Sequence, residues 1–287
     1  MTVETQSRPA VAKGRGAVIL FGVPLAVIVL LAVSANVLPL QDPNKQDLAN
    51  ALLAPSFSPK ASLHHFLGTD QLGRDVLSRM VYGARLSLLI GFVGMFAGAL
   101  PGIILGLVAG YYRGAVDAAV SRLIDAQLAV PFVLLAIAVV TTHGRSVAIL
   151  IVVLALFSWA PYARVIRAET LALREQTFIL GLRSAGLSSA RIVFWHILPN
   201  EAGTAFVLAN LQMGSVMLAE SALSFLGLGV AAPGVSWGAM LADGRDELVG
   251  AWWIAAFPGV AITITVLLVN LFGDALRPIL DPRQRRF

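Results

Sequence analysis

The sequence predicts an all-α, polytopic membrane protein with six transmembrane helices. Residues 16–40, 86–112, 126–144, 146–163, 202–219 and 251–273 carry no Asp, Glu, Lys or Arg. A helix needs about 20 residues to cross an apolar slab of roughly 30 Å, and the shorter stretches reach that length when extended past a charge at one end. Charged residues make up 13% of the chain and the mean hydropathy is +0.81, against about 25% charged in ordinary soluble domains. The basic residues are also asymmetric: 13 Lys and Arg fall on the side that holds both termini and 7 on the other, with Arg122 inside the third segment. Short basic connections stay cytoplasmic, so both termini are expected there.

Several function classes drop out on composition. The net charge of +5 follows the topology of the loops and makes no nucleic-acid patch. No cysteine is present, so the chain itself offers no disulfide or thiol chemistry. His64 and His65 are adjacent, and His143 and His196 are expected on opposite sides, which argues against a histidine metal site. There is no P-loop, no HExxH and no glycine-rich strand-to-helix turn. No cofactor and no catalytic residue are expected, and any transport needs energy from outside the chain. The 25 uncharged residues of the first segment exceed a signal peptide's apolar core, so it reads as a retained span.

In order along the chain, residues 1–15 read as a cytoplasmic tail and 16–80 as the first span, about 17–38, followed by an extracytoplasmic segment. Pro24 is expected to bend the first helix. Residues 67–80 read as a short interfacial helix, with Asp75/Arg79 and Val76/Met80 at i,i+4, feeding a second span at about 86–109. Gly94, Gly98, Gly102 and Gly106 recur every four residues and form a face suited to close helix packing. Whether the neighbour lies in this chain or another subunit stays open. The third span, about 116–140, carries Asp117, Arg122 and Asp125 in its inner third, either as a polar lining or as a snorkelling interface turn.

The fourth span covers about 146–165 and leads into a cytoplasmic loop, 164–198. That loop reads as a short helix at about 174–184, a turn at Gly186 to Ser189 and a second helix from Ala190. Phe178, Ile179, Leu182 and Ala185 form an apolar face that needs a partner or the rest of the subunit to cover it. The fifth span, about 202–224, ends at Glu220 and Ser221. The glycine-rich extracytoplasmic segment 225–250 follows, and the sixth span, about 251–273, begins at Trp252 and Trp253. Residues 81–273 form the core and 274–287 a cytoplasmic tail.

Several blocks carry a resemblance. Glu175, Phe178, Arg183, Gly186 and His196-Ile197-Leu198-Pro199-Asn200 are similar to the cytoplasmic loop of bacterial ABC importer permeases. Leu67-Gly68-Thr69-Asp70, Leu72-Gly73-Arg74-Asp75 and Gly83 to Leu88 resemble the second permease subunit of the dipeptide/oligopeptide/nickel class. So do Glu220, Leu223 to Gly229, Trp237-Gly238, Leu276-Arg277 and Leu280-Asp281-Pro282, and the likeness covers roughly 15–284. Where that family has Glu-Ala-Ala, this chain has Leu180-Gly181-Leu182.

The resemblance implies a type I ABC importer permease fold in the bacterial cell membrane. It implies a homologous second permease, two ATPases that bind ATP and Mg²⁺, and an extracytoplasmic substrate-binding protein. It places ATPase coupling on Glu175, Phe178, Ile179, Leu182, Arg183, Gly186, Leu198 and Pro199. Gly68, Thr69, Asp70, Gly73, Arg74 and Asp75 form an extracytoplasmic motif, and Glu220, Ser221, Phe225 and Trp237 are candidates for the pathway or gate. The cargo is a dipeptide or oligopeptide, with a nickel chelate as the alternative. A non-transporting scaffold and a secondary transporter are the competing classes. The latter is disfavoured because no inverted repeat is evident.

Overall fold

The computed structural model describes residues 9–57 and 65–280, with side chains described for 16–57 and 65–277. The readings of residues 1–8, of Lys60 and His64, and of Asp281 and Pro282 in the tail lie outside these residues.

Apolar runs of membrane length become long helices. These are α1 (Pro9–Ser34), α2 (Val76–Tyr112), α5 (Val147–Arg174), α8 (Leu198–Phe225) and α10 (Trp253–Leu280). Five helices among the described residues are thus long and apolar enough to cross a membrane. The third expected span is different. It is split into α3 (Gly114–Ala129) and α4 (Phe132–His143), bent by 86° at the break. Pro131 explains the break: proline cannot donate a helical hydrogen bond and pushes Val130 out of helical geometry, and Val130 is extended at φ −82°, ψ 123°.

Two further expectations change. No separate interfacial helix precedes the second span; α2 starts at Val76, capped by Asp75, and runs unbroken to Tyr112. The short helix α6 (Thr177–Ser184) begins three residues later than expected, because α5 runs on to Arg174. After α6, the small helix α7 (Ser189–Ile192) passes through a π turn, Val193–Ile197, directly into α8. Pro199 lacks the N–H that would bond one turn back, and its ring crowds that carbonyl. The wider π turn just ahead of it accommodates both.

The glycine stripe sets the centre of the fold. Its neighbour is α5 of the same chain. A Cβ on Gly98 would lie 1.9 Å from Ser158 Oγ, on Gly102 2.4 Å from the Trp159 carbonyl, and on Gly106 2.9 Å from the Ala163 carbonyl. Gly110 extends the stripe, its Cβ position 2.5 Å from Thr170 Cβ. Gly94 meets Val216 of α8 and Leu154 of α5. Backbone-to-backbone approach of this kind maximises van der Waals contact where apolar burial supplies little drive between helices. α8 and α10 pack on this pair, and α1 lies outermost against α10, where Gly22 faces Phe272.

Two polar ends result. At one, residues 38–57 and 65–75, the N-terminal end of α2, the C-terminal end of α8, the small helix α9 (Trp237–Asp243) and the start of α10 gather into a cap. At the other lie the C-terminal ends of α2 and α5, together with α6, α7 and the start of α8.

The packing predicts opposite outcomes for two glycines. Gly102→Ala forces a Cβ against backbone and is expected to cost about 1–3 kcal/mol. Gly181→Ala in α6 meets nothing within 4 Å and is expected to gain up to about 1 kcal/mol of helix propensity. Thermal denaturation of the purified protein, followed by loss of monodisperse material, checks both signs.

Candidate coupling and cap sites

The cap is built on backbone pairing between 47–57 and 66–72. Leu52 N–H donates to the Asp70 carbonyl at 3.0 Å, and Thr69 N–H to the Leu53 carbonyl at 3.0 Å. Gly68 and Gly73 turn at φ +80° and +71°, and a Cβ on Gly73 would sit 1.7 Å from the Asp47 carbonyl, so both positions require glycine. Thr69 Oγ1 donates to the Asn50 carbonyl at 2.5 Å and accepts from Leu53 N–H at 2.8 Å.

Four charged residues lock this knot to α9. Asp70 is buried and accepts from the backbone N–H of Leu72 and Arg74, at 2.9 and 3.0 Å. Its other oxygen takes Arg74 Nε at 2.7 Å and the Arg79 guanidinium. Both arginines reach on to Asp243 Oδ2, each at 3.0 Å. Two cations thus face two carboxylates, each largely withdrawn from water. Beside them Asp75 caps α2 through Ser78 N–H at 2.7 Å and lies 3.0 Å from His65 Nδ1. All six residues of the Gly68–Asp75 motif therefore belong to one structural knot. From the sequence Asp243 is one of the mixed charges of the extracytoplasmic segments, together with Asp70, Arg74 and Asp75, but no local pattern pairs it with Arg79, 164 residues away.

The expected gate residues divide into pins and rim. Glu220 is buried and accepts from Ser224 Oγ at 2.8 Å and Ser236 Oγ at 2.9 Å. Ser236 in turn caps α9 through Ala239 N–H. Buried Trp237 donates from Nε1 to the Met80 carbonyl at 2.8 Å and from its backbone to Ser87 Oγ at 2.9 Å. Gly238 lets α9 approach α8, for a Cβ there would be 2.9 Å from Glu220 Oε2. Ser221 bonds within its own helix, to the Met217 carbonyl. Phe225 stays half-exposed, with the Arg245 guanidinium 5.8 Å from its ring centre.

At the opposite end, α6 is held on one side only. Ile179 is fully buried and Leu182 packs beside it, in a cluster with Leu107, Ile166, Leu173 and Ile192. The apolar face read from the sequence is therefore divided: Ile179 and Leu182 seat α6 on its own subunit, while Phe178 (47% exposed), Ala185 and Arg183 face outward. Gly186 closes the helix at φ +81°, with Leu187 N–H bonded to the Leu182 carbonyl and Gly186 N–H to the Arg183 carbonyl. This is a helix-ending motif that favours glycine. Ser188 stands at the start of α7 but makes no side-chain cap. Glu175 ends α5 and pairs with Arg113 at 3.3 Å, while Arg174 donates to the Tyr111 carbonyl, so α6 is tied to the turn between α2 and α3. Leu198 and Pro199 start α8.

Three pairings at this end escaped the sequence reading. Arg122 and Asp125 do not pair. Asp125 pairs with Arg164 of α5 at 2.9 Å, and Asp117 with Arg167. Buried Glu201 accepts from Thr170 Oγ1 at 2.6 Å, joining α8 to α5. An acidic residue at the start of an apolar run was the available hint. Among the described residues no group of three or more His, Cys, Asp or Glu is placed to hold a metal ion.

Long apolar helices with a charge-locked cap at one end and an exposed short helix at the other are the architecture of an integral membrane protein. The chain belongs to the family described as binding-protein-dependent transport system inner membrane component, which matches residues 102–286, and is thus a permease subunit of an ABC importer. It is 40% identical over 258 residues to a dipeptide transport system permease protein, DppC, of Alkalihalophilus pseudofirmus, covering 90% of this chain and 83% of that one. It is 46% identical over 237 residues to the glutathione transport system permease protein GsiD of Salmonella paratyphi A, covering 83% and 78%. Inward-facing structures of the MetNI methionine ABC transporter share the fold, with a TM-score of 0.60 at 18% identity over 70% of this chain and 96% of that one. Membership implies a complex with an ATPase and a substrate-binding protein.

The knot predicts a large single-site effect. Arg79→Met leaves Asp70 and Asp243 short of a buried partner and is expected to cost about 3–5 kcal/mol. Asp243→Asn, at the more exposed edge, is expected to cost less. Thermal unfolding of the two purified variants orders them, and equal losses would show that burial does not set the energetics of the knot.

Proposed function

We propose that this chain forms half of the transmembrane pathway of an ATP-driven importer of dipeptides or other short peptides. The likeness over most of its length to permeases named for a dipeptide and for glutathione carries the cargo reading. Both cargoes are short chains of amino acids, which favours peptides over a nickel chelate. On this reading a homologous permease supplies the other half. Two ATPases bind ATP and Mg²⁺ and dock on the α6 end, and a binding protein delivers peptide to the cap. Both termini and the α6 loop lie in the cytoplasm of a bacterium, and the chain hydrolyses nothing itself.

The outward Phe178 supports the docking assignment. α6 spends Ile179 on its own subunit and keeps an aromatic side chain for another, and buried aromatics often dominate protein contacts. Phe178 sits in the first turn of α6, where an acidic residue suits the helix dipole. Phe178→Asp therefore leaves α6 folded while burying a charge in the docked state, which is unfavourable. The expected outcome is a correctly inserted permease whose peptide uptake and peptide-stimulated ATP hydrolysis fall together by about tenfold or more. Normal uptake by an assembled Phe178→Asp complex would remove Phe178 as the anchor.

Sidedness has its own check. Ser188 is exposed in the turn beyond α6, and the natural chain has no cysteine to interfere. A Ser188→Cys variant is expected to react with a membrane-impermeant maleimide in inverted vesicles and not in intact cells. Labelling from outside would reverse the proposed orientation.

A further inference from the structure

We propose a binding site for a single phospholipid beside the cap, with its phosphate on Arg85 and an acyl chain along the outer face of α2. A cleft of about 270 Å³ opens there, walled by Pro43, Tyr82, Leu86, Leu89, Pro233 and Val235, with Arg85 on its edge. Asn44 Nδ2 donates to the Pro233 carbonyl at 3.1 Å, which holds the two loops of the cleft together.

Arg85 takes no part in the knot. Arg74 and Arg79 spend their guanidinium groups on Asp70 and Asp243. Arg85 is exposed and makes no ion pair or hydrogen bond among the described residues. It stands immediately before the uncharged run 86–112, which is the level of a phosphate in a bilayer. A guanidinium presents paired N–H donors that match phosphate oxygens.

Below Arg85 the outer face of α2 is apolar and bulky. Leu89 is 44% exposed, Phe92 53% and Phe96 52%, and the two rings stack edge to face at 4.7 Å. From Arg85 to Phe96 the helix rises about 16 Å, close to half of a roughly 30 Å hydrocarbon core. One acyl chain hung from Arg85 would therefore run past Leu89 and Phe92 to Phe96. The same helix spends its small residues on α5. Helix partners in membranes prefer small contacts, so the large outward side chains suit a lipid chain better than a second subunit.

The test uses the assembled transporter in vesicles of equal parts phosphatidylglycerol and phosphatidylethanolamine. A photoreactive benzoylphenylalanine replaces Leu89 and, as a control deeper in the membrane, Leu100. The expected result is a phospholipid adduct at position 89 that falls about tenfold in Arg85→Gln, the loss of one charge-assisted contact. Arg85→Lys keeps the charge and is expected to retain most of the adduct. The lipid adduct at position 100 stays unchanged throughout and reports normal insertion. An adduct at 89 indifferent to Arg85→Gln would reduce the site to ordinary bilayer contact and overturn the proposal. A crosslink from 89 to another protein subunit, or no adduct there at all, would overturn it as well.

Discussion

The approach of α2 to α5 is the constraint on which the rest of the structure depends. Five glycines, from Gly94 to Gly110, bring α2 so close that carbonyls and Cβ atoms of α5 occupy the space of its missing side chains. Close packing of this kind has low compressibility and transmits strain. The pair is therefore a stiff strut. α2 alone is 37 residues long, about 55 Å at 1.5 Å per residue, so the strut reaches from the cap knot to the turn that holds α6.

The two ends differ in how they are held. The cap is fastened by ion pairs and polar groups mostly withdrawn from water: Arg74 and Arg79 bridge Asp70 to Asp243, and Glu220 holds Ser224 and Ser236. Buried polar groups of this sort are costly unless fully paired, and once paired they enforce one geometry. The α6 end is lighter. Two of its ion pairs, Arg113 with Glu175 and Arg164 with Asp125, are exposed and contribute little to stability, while Asp117 with Arg167 and Glu201 with Thr170 fasten α3 and α8 to α5 and leave α6 itself untouched. α6 itself is seated by Ile179 and Leu182. A firmly paired cap and a lightly tethered helix support the proposal that an ATPase docks on α6.

Much of this was legible in the sequence. Uncharged length located α1, α2, α5, α8 and α10, and the four-residue glycine period identified the packing face of α2. Gly186 marked the end of α6 because only a left-handed turn needs glycine there. Other features depend on distant partners and left no local trace. The glycine stripe could not name α5, since a small face fits any neighbour. The pairing of Arg79 with Asp243, and of Asp117 and Asp125 with arginines on α5, joins residues that periodicity treats separately. Ile179 and Phe178 are both apolar, and only tertiary packing turns one inward and the other outward. At Pro131 the uncharged run continued on both sides, so hydropathy joined what backbone geometry divides.

On the proposed function the chain passes peptide across a membrane at the expense of ATP hydrolysed by another subunit. The most direct test is uptake by the reconstituted importer, measured with labelled dipeptide and labelled glutathione outside proteoliposomes and ATP inside. The expected result is accumulation of at least one of the two that requires both internal ATP and the external binding protein. Accumulation by the assembled importer that proceeds equally without ATP would contradict it.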